Sequence, residues 1–343
     1  MDESGQIGWF KRVLLALSAI FFFHCVFAQE PIRLAGSTMG TTYNITYFDS
    51  DARNFQKGVD SVLRLVNAAI NMYDPDSDVS RFNRSPHGIR ITSRYLHPVL
   101  QTALEIARLS GGAFDPTVMP LVNAWGFGPG KPQADLTPAE VDSIRRFVGY
   151  TKIVLTEDSV IKSDPRVQLD FGGIGQGYGA DMVTDFLKSQ GVENMLIELG
   201  GEGMACGNNI QKNAPWQIGI TDPGSTYENQ FFKAYVSVKN QSFTTAGNYF
   251  NFRKVNGKTY AHTIDPVAGY PVDLALLSVS VFAADCTIAD AWDTALMVMG
   301  HEKAIETLRA HPELDAILMY TGPDGKLQTY ITPGIEPMVI LEP

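Results

Sequence analysis

Apolar residues at Val59, Val62, Leu63, Val66, Ala69 and Ile70 recur at three- and four-residue spacing, which predicts a helix over Gly58 to Met72. Pro98 to Leu109 repeats the pattern, with Pro98 near the first turn and Gly111-Gly112 as the stop. Thr137-Pro138-Ala139-Glu140 reads as a capping box and opens a third helix that runs to Phe147. The period then shortens to two. Lys152 to Leu155 and Val160 to Lys162 flank Glu157-Asp158-Ser159, and Phe250 to Val255 and Lys258 to His262 flank Asn256-Gly257, so both read as hairpins. Further strands are expected at Met195 to Leu199, Trp216 to Ile220, Ala234 to Val238, Leu277 to Ala283 and Ala316 to Tyr320. Helices are expected at Gly179 to Ser189 and Thr287 to Met299. Hairpins mixed with helices predict an α+β fold, with helices packed on an antiparallel sheet, over a parallel doubly wound one.

The N-terminus follows a different pattern. Lys11-Arg12 precedes an apolar run from Val13 to Phe23, and Val26-Phe27-Ala28 stands before Gln29, the layout of a secretory signal peptide. The run falls short of the ~20 apolar residues of a membrane span, and His24 sits at its end. A lipid anchor on Cys25 lacks small residues before the cysteine. The expectation is a leader over residues 1–28 and one domain over 29–343, with room for two lobes. The domain is then exported, to the periplasm if the source is Gram-negative, where association with the inner membrane stays open. Past the leader only Cys206 and Cys286 remain, too few for a disulfide framework or a thiolate metal site. Among 343 residues, 37 acidic against 27 basic give a net charge of -10, which argues against nucleic acid as a partner.

Three glycine-rich stretches carry the candidate chemistry: Gly36 to Thr41, Asp170 to Gly177 and Leu199 to Gly203. Consecutive exposed N–H groups suit phosphate oxygens, and the second stretch leads into a helix whose N-terminus favours an anion. Any one of them taken singly also reads as a tight turn from strand to helix. None has the spacing of a P-loop or a dinucleotide-binding fingerprint. On the helix from Thr287, Asp290 and Thr294 lie four apart, so a carboxylate and a hydroxyl share a face that suits Mg2+ or simply meets solvent. Asp293 lies beside them. His262 ends the second hairpin, as a titratable group or a structural histidine.

Taken in order, these motifs resemble the FAD:protein FMN transferase family (the ApbE family). The resemblance spans nearly all of the chain past the leader and rests on Gly36 to Thr41, Met72-Tyr73-Asp74 through Ser80-Arg81-Phe82-Asn83, Gly112 to Val118, Trp125 to Gly128, Asp170 to Asp181, Leu199-Gly200-Gly201, Thr244 to Gly247, His262 to Pro266 and Ala289 to Ala295. It implies that Met39 and Tyr73 line the flavin of FAD, with Ser80, Asn83, Phe114 and Asp115 on the same wall. Asp170, Glu198, Gly200 and Gly201 would face the adenosine and diphosphate, with Thr245, Gly247 and His262 near the pyrophosphate. The Asp290 and Thr294 side chains and the Gly175 carbonyl would hold Mg2+. Two positions depart from the family pattern: Gln176 stands where many members have Lys, and Asp293 where many have Ala.

The implied reaction passes FMN from FAD to a Ser or Thr hydroxyl of a target flavoprotein of membrane electron transfer and releases AMP. His262 is the first candidate for the general base and Asp265 the second. The same site with water as acceptor would be an FAD pyrophosphatase, and one without turnover a flavin-binding protein. Thr221 to Thr226 is the stretch nearest the family's acceptor motif, and Pro223 breaks the match, so self-modification there is not expected.

Overall fold

The computed structural model describes residues 29–129, 136–226, 228–248, 252–255, 258–272 and 275–342, with the backbone alone at 252–255 and 258–261. The expected leader and the Asn256-Gly257 turn lie outside the described residues. Strands β1 (Ile32–Thr38) and β2 (Thr41–Phe48) come first. Then follow α1 (Gln56–Ile70), α2 (Asp78–Arg84), β3 (Gly88–Arg90), α3 (Leu96–Leu109), α4 (Met119–Ala124) and α5 (Pro138–Arg145). The hairpin β4 (Ile153–Leu155) and β5 (Ser159–Lys162) leads to α6 (Gly175–Ser189). After it come β6 (Asn194–Leu199), β7 (Glu202–Cys206), β8 (Trp216–Thr221), β9 (Phe232–Val238), β10 (Gln241–Gly247), β11 (Phe252–Val255), β12 (Lys258–Ala261) and β13 (Leu276–Phe282). The chain closes with α7 (Cys286–Ala310), β14 (Asp315–Thr321), β15 (Leu327–Ile331) and β16 (Val339–Leu341).

The fold is α+β, as the hairpins predict. An eight-stranded sheet runs β1-β2-β6-β7-β10-β13-β14-β15, every neighbouring pair antiparallel. Side chains alternate across it. On β13 and β14, Val279, Val281, Ala316 and Leu318 join the cluster under α7, while Phe282, Ile317 and Met319 point to the other face. That second face is covered by the sheet β16-β9-β8 through Trp216, Ala234, Val236 and Val238. Helix α1 buries Val59, Leu63, Val66, Ala69 and Ile70, the stripe read from the sequence, and α5 carries the expected reciprocal cap between Thr137 and Glu140. Cys206 and Cys286 are free thiols buried in one cluster. No helix among the described residues is long and apolar enough to cross a membrane.

Two expectations about the glycine-rich stretches are corrected. Gly36 to Thr41 and Leu199 to Gly203 join strands to strands, not strands to helices. Met39 and Gly40, with φ 50° and 75°, form the two-residue loop between Thr38 and Thr41, and Gly200 and Gly201, with φ 67° and 119°, link Leu199 to Glu202. Positive φ at both loop residues matches the twist of the flanking strands. The helices also run longer than expected, α6 from Gly175 and α7 to Ala310, with a break at Gly300 where φ is 74°.

Helix α7 packs on β10, β13 and α6. At the α6 crossing, a Cβ on Gly177 would overlap the carbonyl oxygen of Cys286. Lys162 on β5 is buried, its ammonium donating to the Val167 carbonyl at 2.9 Å and lying over the Phe82 ring at 4.6 Å. It braces the segment that ends at Asp170. Burial lowers its pKa to about 8 from an ordinary 10.5, only partly opposed by Asp164.

Gly177→Ala is expected to destabilise the fold by about 1–3 kcal/mol despite the better helix propensity of alanine, because α7 must move. Urea denaturation checks this, and equal stability would contradict it. For Lys162 the unfolded chain holds the proton more tightly than the folded one, so its contribution to stability improves as pH rises from about 8 to 10.5. Lys162→Met is expected to remove that rise, measured as the difference between wild-type and variant denaturation curves across this range.

Candidate active site

Asp170 is set by backbone on both sides. Its N–H donates to the Pro116 carbonyl at 2.7 Å, and its Oδ1 accepts the Gly172 N–H at 2.7 Å, which turns the chain into the Gly172-Gly173 approach to α6. Asp115 is held by three donors: the Thr117 N–H at 2.8 Å and hydroxyl at 2.6 Å on Oδ1, and the Tyr150 N–H at 2.8 Å on Oδ2. Burial raises both carboxyls above the ordinary range, and these bonds only partly offset it.

Both carboxylates border a cavity of about 530 Å3, whose walls include Tyr73, Phe114, His262, Ile264, Pro266 and Thr294. A smaller cavity of about 250 Å3 lies on the other side of Met72, Tyr73 and Gly172, walled by Met39, Asn67, Asn71, Phe171, Gly175 and Gln176. The two form adjoining compartments with aromatic and apolar walls and a few polar groups, the composition of a small-molecule site. Tyr73 stands 65% exposed between them, with its hydroxyl pKa raised by partial burial and by Asp170.

Beneath the Gly173 turn lies a buried acidic cluster. Asp290 Oδ2 accepts the Gly177 N–H at 2.8 Å, and a Cβ on Gly173 would stand 2.5 Å from Thr294 Oγ1. Burial lifts the Asp290 carboxyl to about 7, against the Gly177 bond and with a smaller push from Asp181. Asp293 and Glu202 are buried beside it, and both are pushed well above the ordinary range by burial and by the charge of Asp290. Among the described residues Glu202 Oε2 has no hydrogen-bond partner. Among the described residues no cationic side chain offsets this cluster. Among the described residues no group of three or more His, Cys, Asp or Glu side chains is placed to hold a metal, but the Asp290 carboxylate and the Thr294 hydroxyl are hard oxygen donors beside uncompensated buried negative charge, which fits a divalent cation completed by other oxygens.

The cavity walls bring together Met39, Tyr73, Phe114, Asp115, Asp170, Gly175, Gln176, His262 and Thr294. Other expected site residues stand apart from them. Asn83 uses both ends of its amide on the Leu169 backbone, donating to its carbonyl at 2.9 Å and accepting its N–H at 2.7 Å, so it anchors the residue before Asp170. Ser80 donates to the Met72 carbonyl at 3.3 Å. Glu198 accepts from Asn44 at 2.9 Å and from the Gly201 N–H at 2.7 Å, bracing the Gly200-Gly201 loop. Thr245 pairs with Ser280 at 2.8 Å, and Gly247 lies two residues on, opposite Ser278. Asp265 accepts the N–H groups of Val267 and Ala268 at 2.8 and 3.0 Å, so its carboxylate shapes its own turn. Glu202, buried beside Asp290 and Asp293, was missed; it lies inside the Leu199 to Gly203 stretch, where a charged residue among glycines and apolar strand positions was the available signal.

The ApbE family model matches residues 39–318. A FAD:protein FMN transferase of Vibrio cholerae is 33% identical over 337 residues, covering 96% of this chain and 99% of that protein. One from Haemophilus influenzae is 34% identical over 307 residues, covering 86% and 88%. The solved structure of the flavin transferase ApbE from Vibrio cholerae superposes with a TM-score of 0.80 at 32% identity, covering 90% of this chain and 99% of that one. With the match extending over the sheet, both cavities and the acidic cluster, the chain belongs to the ApbE family.

Proposed function

We propose that the chain is a Mg2+-dependent FAD:protein FMN transferase that moves FMN from FAD to a Ser or Thr hydroxyl of a target protein. The observation that carries this reading is the placement of Asp290 and Thr294, uncompensated by any described cation, against the glycine turn that borders both cavities. The names of the relatives agree with it.

Asp290, Thr294 and the Gly175 carbonyl are the groups that would hold Mg2+, and the bound ion would offset charge on the diphosphate of FAD. Tyr73 and Met39 border the smaller cavity and offer it an aromatic face and a soft apolar one. Gln176 contributes amide donors there without a positive charge. His262 borders the larger cavity with Thr294, where it would take the proton of the acceptor hydroxyl. The hydroxyl oxygen then bonds to the FMN phosphorus, the P–O bond to the bridging oxygen breaks, and AMP leaves with that oxygen. The first residues fit export, which would put the transfer in the periplasm beside flavoproteins of membrane electron transfer.

Purified protein incubated with FAD, Mg2+ and a protein bearing the acceptor motif is expected to yield an adduct heavier by one FMN in intact mass, together with AMP. Free FMN and AMP without an adduct would make the protein a pyrophosphatase, and intact bound FAD a binding protein. Asp290→Asn is expected to lower Mg2+-dependent transfer by a factor of about 100 or more while the protein stays folded, measured by AMP release. His262→Ala is expected to slow transfer about 100-fold or more, and near-normal rates from pH 6 to 8 would remove it as the base.

A further inference from the structure

Three positions along α6 and its leading turn meet three positions along α7, in opposite order and at four-residue intervals. Gly173 faces Thr294, with 2.5 Å between a Cβ built there and Oγ1. Gly177 donates its N–H to Asp290 at 2.8 Å. Asp181 accepts the N–H of Cys286 on Oδ1 at 3.0 Å, and the N–H and hydroxyl of Thr287 on Oδ2 at 2.8 and 2.5 Å. Four residues are close to one helical turn, so these contacts are successive rungs between two antiparallel helices.

The first two rungs are the proposed cation site. The third lies one turn away and touches none of its residues. It is also the strongest, because a carboxylate takes three donors from the first turn of α7, where free N–H groups and the helix dipole favour negative charge. Asp285, the residue in the capping position of α7, makes no side-chain cap bond of its own. Burial holds the Asp181 carboxyl up at about 6 against those three bonds, with a smaller push from Asp285, so an uncovered surface acid does not describe it. Two of the three bonds end on backbone, which ties them to the axial position of α7 and not to one rotamer.

The geometry points to Asp181 as a positioning residue that sets the axial and rotational placement of α7, and through it the distance of Asp290 and Thr294 from the Gly173 turn. The inference rests on the reading that those two residues hold the divalent cation. Without Asp181, the bond from Gly177 is what remains of these ties between the two helices, and a small shift of α7 on the sheet moves Asp290 and Thr294 together away from the Gly173 turn.

The test is Mn2+ binding by electron paramagnetic resonance on the folded protein, without turnover, for wild type, Asp181→Ala, Asp181→Asn and Asp185→Asn. Asp185 is exposed on the same helix and serves as the control. Thermal unfolding of each variant fixes a temperature at which all are native. Asp181→Ala is expected to weaken Mn2+ binding by about 10-fold or more, the range seen when a group supporting a ligand is lost. Asp181→Asn keeps one acceptor oxygen and should fall between, which also preserves the test if the alanine variant does not fold. Asp185→Asn should match wild type. A residue that merely stabilises the fold would lower the melting temperature and leave the affinity unchanged, and that result would overturn the inference. Wild type that binds FAD but no Mn2+ would overturn the cation assignment and the inference with it, whereas wild type that binds both while Asp181→Ala binds Mn2+ equally well removes the inference alone.

Discussion

Buried negative charge at the crossing of α6 and α7 is the constraint around which the structure is arranged. Asp290, Asp293 and Glu202 sit together out of water, and the charge of Asp290 raises the cost of ionising the other two. A chain that needed only stability would place apolar residues there. Here the helices instead approach closely, through Gly173 and Gly177, so that a carboxylate and a hydroxyl of α7 reach the turn that carries Asp170. The protein side of that arrangement is a set of preplaced oxygens.

The rest of the fold serves this crossing. The eight-stranded sheet supplies a rigid floor for α7, and the second sheet covers the opposite face of β10, β13 and β14, so the floor cannot flex toward solvent. The segment before Asp170 works at one remove: Lys162 braces the Val167 carbonyl, Asn83 clamps Leu169 from both sides, and Asp170 follows at the cavity wall. The β1–β2 loop brings Met39 to the other compartment through a left-handed backbone.

What could be read from the chain depended on the range of the interaction. Helix α1 and the hairpin β4–β5 were legible because their periodicity and turns are local. Strands β1 and β2 escaped because threonine and asparagine alternate there with Tyr43, Ile45 and Tyr47, and the glycines drew the reading to a loop where the chain makes only a two-residue turn at Met39 and Gly40. At the site, Asp170, His262 and Thr294, which carry an obvious group and were singled out by resemblance to the family, line the larger cavity. The supporting roles of Asn83, Glu198 and Asp265 were not legible, because each satisfies backbone groups whose whereabouts only the fold determines. Asp181 belongs with them, because the groups it satisfies lie on another helix, and Glu202 was hidden because the carboxylates it is buried beside lie on α7.

The most direct test of the account is a crystal structure of the protein with FAD and Mn2+, with anomalous scattering used to locate the metal. The account predicts an anomalous peak between Asp290 and Thr294, diphosphate oxygens against the Gly172-Gly173 turn and the flavin beside Tyr73. A metal bound elsewhere, or flavin outside both cavities with Asp290 and Thr294 unliganded, would contradict it.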